Sequence, residues 1–302
     1  MQTAVDLLLP WQFSPTVLLT TTLAVAVYVR GMIGSAPATA YSRRVACFTG
    51  LAVIYLALQT ACVYYASHMF FVLQLQQFVL HDLGPALLAI AAPGPALWHG
   101  LPQRARRCLQ AAVRRVGTPL RLLLDARIAT ALYIVTQLLW LLPPIAFDVM
   151  LSNRLFKFMN WSTVLGAVPF WHLILDPRPR PLARLRLRER FLFLYLAMLP
   201  MTLASAALAF SQTNWYPVYA VCGRFLPISP IMDQELGGTA MWVPEAMLFG
   251  GVFFLFLGPK LDQAQTPLTS SPGGTSPAHA DPSRGTAAGP ASGCRASATE
   301  RA

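Results

Sequence analysis

FLFLYLAMLPMTLASAALAF, residues 191–210, runs for twenty positions without an Asp, Glu, Lys, Arg or His. At about 1.5 Å of rise per residue, a helix of that length covers roughly 30 Å, the thickness of a bilayer's hydrocarbon core. Six more segments outward from it read the same way, some only just: 14–33, 45–66, 69–92, 128–147, 156–175 and 239–257. Lipid offers the backbone no hydrogen-bond partners, so a spanning segment is a helix or part of a closed barrel. The ten-residue alternation of a barrel is missing. The predicted fold is therefore all-α, a polytopic transmembrane helical bundle of about seven spans.

Composition agrees. Of 302 residues, 55% are hydrophobic and only 12% charged, where a soluble domain carries about 25% charged residues. The mean hydropathy is +0.51. These values exclude an ordinary soluble enzyme, a disordered chain and a secreted disulfide scaffold. The five cysteines (Cys47, Cys62, Cys108, Cys222, Cys294) have neither framework nor metal-knuckle spacing. The first ten residues, MQTAVDLLLP, lack a basic start and include Asp6, which argues against a cleaved signal peptide.

The net charge of +11 invites a nucleic-acid reading, but the basic residues are almost all Arg and fall between apolar runs. One set of connections holds Arg30, Arg43 and Arg44, then Arg104 to Arg127, then Arg178 to Arg190, then Lys260; the other holds Arg154, Lys157 and Arg224. That asymmetry encodes orientation, with the Arg-rich set cytoplasmic. The expected partner is membrane lipid and not nucleic acid. The N-terminus is expected outside and the C-terminus cytoplasmic. The domains read as an outer N-terminus (1–13), a transmembrane domain (14–260) and a Pro/Gly/Ser/Thr/Ala-rich disordered cytoplasmic tail (261–302). In the 93–127 connection, an amphipathic helix is predicted to lie on anionic lipid. The outer loop 211–238, aromatic and weakly charged, is predicted to fold over the bundle or meet a partner.

Ionisable groups inside spans are costly, so each is a candidate site. His68 and Met69 mark the outer mouth of the third span, and His81 and Asp82 lie roughly 20 Å deeper at helical rise. His68 and Asp82, fourteen apart, share a face of an unbroken helix. Glu245 sits between Met241 and Met247 in the seventh span, and Met198, Pro200 and Met201 lie in the sixth. Imidazole and thioether ligands with few carboxylates suit copper. A pair such as His81 and Asp82 equally reads as two packing residues satisfying each other. The methionines read mostly as core filler, and the small run Ala204–Ala207 as a site of close helix approach. No hydrolase constellation, Walker loop or dinucleotide fingerprint occurs, so no catalytic residues are assigned.

SHMFFVLQLQQFVLHDLGPALLAIAAPG (67–94) and WLLPPIAFDVM (140–150) resemble the bacterial CtaG family, the caa3-type group of multi-span cytochrome c oxidase assembly factors. The resemblance strengthens through FLYLAMLPMTLASAALAFS (193–211), WYPVYA (215–220) and SPIMDQELGGTAMWVPE (229–245). Its most specific part is Asp233, Gln234, Gly237, Gly238, Met241, Trp242 and Pro244, taken as an outer-loop motif. The resemblance implies a multi-pass protein of the bacterial plasma membrane that helps build a haem–copper oxidase, with oxidase subunits as partners and copper as cargo. On that view His68, Met69, His81 and Met241 are metal ligands, and Asp82 and Glu245 orient ligands or take protons. Asp233 and Gln234 read equally as residues that order the outer loop. Family members carry further third-span histidines where Leu73, Gln77 and Asp82 stand here, while His68, Gln76, His81 and Pro85 match. Two other classes stay open: a copper or small-solute transporter, and a haem- or quinone-binding redox protein.

Overall fold

The computed structural model describes residues 13–34, 40–115, 117, 122–176 and 184–265, the last ten of these by backbone only. The regular structure it describes is helical. α1 (Pro15–Ile33) opens on a proline, whose missing N–H costs nothing at a helix start. The Ser14 N–H donates to Gln59 Oε1 (3.2 Å), tying that start to the end of α2 (Tyr41–Gln59). Thr60 then bends the chain by 54° into α3 (Cys62–His68). Its hydroxyl donates to the Leu56 carbonyl (2.7 Å) and accepts from the Cys62 N–H (3.3 Å), competing with the helical ladder.

Met69, extended at φ −139°, separates α3 from α4 (Phe70–Phe78). A π-helical turn (Val79–Leu83) joins α4 to α5 (Gly84–Ala91). Ala92 at φ 45° and the following Pro93 turn the chain 73° into α6 (Gly94–Gly100). α7 (Gln103–Arg115) buries none of its residues. α8 (Ala126–Leu141) stops at Leu142 because the residue before a proline is pushed out of the helical region, and α9 (Pro143–Leu151) departs at 72°. α10 (Asn153–Ile174), α11 (Leu187–Phe210), the short α12 (Val218–Cys222) and α13 (Pro230–Gln265) complete the order.

By length and composition α1, α11 and residues 230–255 of α13 can each cross a membrane, and three bent pairs pass the same test jointly. These pairs are α2 with α3, α4–α5 with α6, and α8 with α9. The described residues thus give three to six candidate spans against the seven expected. The expected fifth, α10, is 22 residues long but carries Arg154, Lys157, Asn160 and His172 and is not in that set. The expected 45–66 and 128–147 segments are broken helices rather than straight ones.

A second difference lies at the start of α13, which begins nine residues before the expected 239. The Ser229 hydroxyl accepts from the Met232 N–H (3.1 Å) and Pro230 occupies the first turn, so PIMDQELGG is helix and not loop. The chain divides into residues 1–259 and 260–302. The expected disordered tail lies outside the described residues except for the helical backbone to Gln265, as do residues 1–12, 118–121 and 177–183.

Apolar association alone does not drive helices together in lipid, so close packing and interhelical hydrogen bonds must. α1 and α6 meet backbone to backbone: a Cβ on Gly31 would lie 1.8 Å from the Ala96 carbonyl oxygen. Tyr133, Phe170, Trp171, Ala197 and Phe249 share a buried core, while Leu203 and Phe254 face outward.

Candidate functional site

Five segments converge on a small cavity of about 10 Å³, roughly one water molecule's worth of room. Gln74 and Phe78 reach it from α4, and His81 and Asp82 from the π turn. Gln137 comes from α8, Met201 from α11, and Met241 and Glu245 from α13. All but Phe78 are buried. Single π turns inside α-helices are frequent at functional sites, and this one carries the two third-span residues singled out by sequence.

The His81 ring is held on several sides. Its Nε2 lies 3.1 Å from the Tyr133 carbonyl oxygen, which can only accept, so Nε2 carries the proton. The ring stacks on Tyr133 (3.9 Å between centroids), which stacks in turn on Phe170 (4.2 Å). The indole N–H of Trp171 donates to the His81 carbonyl (3.1 Å). In the neutral imidazole this leaves the Nδ1 lone pair free, 3.6 Å from Asp82 Oδ2. The Tyr133 hydroxyl donates to Asp82 Oδ1. Glu245 Oε1 and Gln74 Oε1 are buried without a hydrogen-bond partner. Two carboxyl groups, two side-chain amides, an imidazole and two thioethers therefore line a cavity with no Lys or Arg in its wall. Acceptors in excess of donors favour a cation.

The structure does not bring the four expected ligands together. His81 and Met241 line the cavity; His68 and Met69 do not. His68 lies on α3, where its Nδ1 meets the Tyr64 carbonyl (2.7 Å) and its ring packs on Tyr64 (4.2 Å). The extended Met69 breaks the helix, and the π turn shifts the register, so the fourteen-residue spacing of His68 and Asp82 no longer defines one face. Asp82 and Glu245, expected behind the ligands, are in the cavity wall. Gln77 turns away and donates to Asn160 (3.0 Å).

Asp233, fully buried, caps α4 from another helix: its two oxygens accept from the Phe70 and Phe71 N–H groups, both at 3.1 Å. Arg224 Nε lies 3.5 Å from the same carboxylate, near enough for ion pairing though not aligned as a hydrogen bond. The Gln234 side chain accepts from the Trp215 N–H (2.8 Å) and donates to the Thr213 carbonyl (3.1 Å), fastening the 211–229 segment. Gly237 lies under the Phe70 ring, and a Cβ on Gly238 would sit 2.8 Å from the Ser205 carbonyl oxygen. That contact is the close approach expected of the Ala204–Ala207 run. Trp242 is exposed and Pro244 half-buried, and neither lines the cavity. Tyr216 stacks on Phe70 (4.2 Å) and donates to the Leu141 carbonyl (2.6 Å), so the segment folds over the bundle as predicted. Burial pushes up the Tyr216 hydroxyl, and burial followed by the Asp233 charge pushes up that of Tyr219.

Sequence reasoning passed over Tyr133 and Gln137, although two polar groups four apart in ARIATALYIVTQLLWL were a usable signal. Met201, which reads with the other methionines mostly as core filler, lines the cavity.

A family model described as cytochrome c oxidase caa3 assembly factor (Caa3_CtaG) matches residues 23–259, more than three quarters of the chain. The chain belongs to this family. With its long apolar helices it is a helical membrane protein of the CtaG family. The CtaG match takes in the whole cavity, the Asp233 cap and the folded-over segment. No curated protein and no solved structure matches the chain. Among the described residues, no group of three or more His, Cys, Asp and Glu side chains is arranged to hold a metal ion.

Proposed function

We propose that this CtaG-family protein helps assemble a haem–copper terminal oxidase in the bacterial plasma membrane by taking up copper and passing it towards the catalytic subunit. The observation that carries the reading is the cavity shared by His81, Met241, Asp82 and Glu245 within the family match. His81 offers a lone pair on a ring that Tyr133 holds by stacking and through its carbonyl, Met241 a soft sulfur, and the carboxylates the negative charge that a cation offsets. His68 and Met69, at the end of α3, lie outside this set and suit an entry position rather than the cavity.

In this reading the Arg-rich connections are cytoplasmic and the 211–229 segment faces outward. A topology reporter fused after Gly223 then reads as extracytoplasmic; a cytosolic readout reverses the orientation. The three broken helices favour a second reading, a copper permease, because discontinuous helices line many transport sites.

The test is deletion of the gene, followed by oxidase activity and total cell copper with and without added copper. The assembly reading expects oxidase activity to fall under copper limitation while total copper stays level. A parallel loss of cell copper favours the permease, and normal activity with normal subunit levels defeats both. A Soret band in the purified protein would instead support a haem-binding role.

A further inference from the structure

We propose that Met201 and Met241 together with His81 make the cavity selective for a soft monovalent cation of the copper(I) class, with Met201 a ligand and the Glu245 carboxylate offsetting the charge. The inference rests on the reading of the cavity as a cation site and specifies what that site accepts. Three observations support it. First, His81, Asp82 and Glu245 share the cavity wall, but among the described residues no group of three or more His, Cys, Asp and Glu side chains is arranged to hold a metal ion. Zinc and copper(II) need such a set, so the cavity is poorly built for a divalent ion. Second, the donors it does hold, beyond the carboxylates, are one imidazole nitrogen and two thioethers, from three different helical segments. Met201 is 1% exposed and Met241 5%, so both sulfurs are withdrawn from solvent and lipid alike. Third, Glu245 Oε1 is an unpartnered acceptor in the wall, 4% exposed as a residue. One bound positive charge meets it without requiring full coordination by oxygen.

Core packing is the competing account of two buried methionines. Met247 separates the two: it lies on the same helix as Met241 but is 73% exposed and outside the cavity. The experiment uses the full-length protein in nanodiscs under anaerobic conditions. Copper(I) affinity is read by competition with a chromophoric copper(I) chelator, silver(I) by native mass spectrometry, and zinc(II) in parallel. Methionine to leucine conserves volume, so Met201→Leu and Met241→Leu leave the fold in place; thermal midpoints of the variants check this. The expected result is one copper(I) or silver(I) per chain, weakened at least about tenfold by either cavity substitution. Met247→Leu binds like the unaltered chain, and zinc(II) binds weakly. X-ray absorption of the copper(I)-loaded unaltered chain, which needs no variant, shows sulfur among the nearest scatterers.

Unchanged copper(I) affinity in both cavity variants, zinc(II) bound as tightly as copper(I), or absorption data without sulfur each overturn the inference. Failure here is distinguishable from failure of the assembly reading. If oxidase activity depends on the gene while Met201→Leu changes neither binding nor activity, the ligand assignment alone falls. If copper(I) binds through Met201 while the deletion strain assembles oxidase normally, the assembly reading alone falls.

Discussion

Asp233 takes the place of a capping residue that α4 does not supply for itself, since Met69 at its N-cap offers no side-chain hydrogen bond. A helix N-terminus buried in a bundle exposes N–H groups with no water to satisfy them. The carboxylate answers two of these and sits at the positive end of the helix dipole. Replacing Asp233 with Ala leaves those donors buried and unpaired, at a cost of about 1–3 kcal/mol. We expect a lowered thermal midpoint for Asp233→Ala in detergent, with Asp233→Asn, which keeps one acceptor oxygen, in between; an unchanged midpoint for Asp233→Ala would dismiss the cap. The sequence marked Asp233 as part of a specific motif but did not disclose its partner, because the capped amides lie 163 and 162 residues away in the chain. His81 and Asp82 were legible because ionisable groups in an apolar run stand out. Met201 was not, because a thioether in a wholly apolar helix looks like packing.

At the scale of elements, twenty-residue apolar runs located the helices, but the 128–147 run extends past Pro143, before which α8 in fact ends. Two features stayed hidden. The break at Met69 has no Pro or Gly at its site, and the π turn at Val79–Leu83 has no local signature, with Pro85 two residues beyond it. Both depend on tertiary contacts: Asp233 on one side of α4, and the Tyr133 and Trp171 hydrogen bonds to His81 on the other. The contact of α11 with α13 was half legible, since the small-residue run on α11 predicted close approach without naming Gly238. A methyl group at Gly238 meets backbone atoms of Ser205 and Ala209, which cannot swing aside as a side chain can. Gly238→Ala should therefore cost about 1–3 kcal/mol by overpacking and reduce the amount of folded protein in membranes. Wild-type levels and thermal midpoint would show that the two helices can separate without penalty.

Across the whole molecule, the wall of the cavity comes from α4 and its π turn, α8, α11 and α13, which are spread over residues 74–245 of the chain. Such a site cannot be read from spacing, and its donors become one set only when the bundle closes. The segment fastened by Gln234 and Tyr216 covers the α4 end of that bundle, so cap, cover and cavity share α4 and α13 as their common frame. The claim on which this account turns is that the framed cavity handles copper destined for an oxidase. The direct measurement is the copper-to-haem ratio of oxidase purified from copper-limited cells whose only copy of this protein carries His81→Ala at normal membrane levels. The account predicts a ratio well below that of cells with the unaltered protein, restored by added copper; a normal ratio under limitation would contradict it.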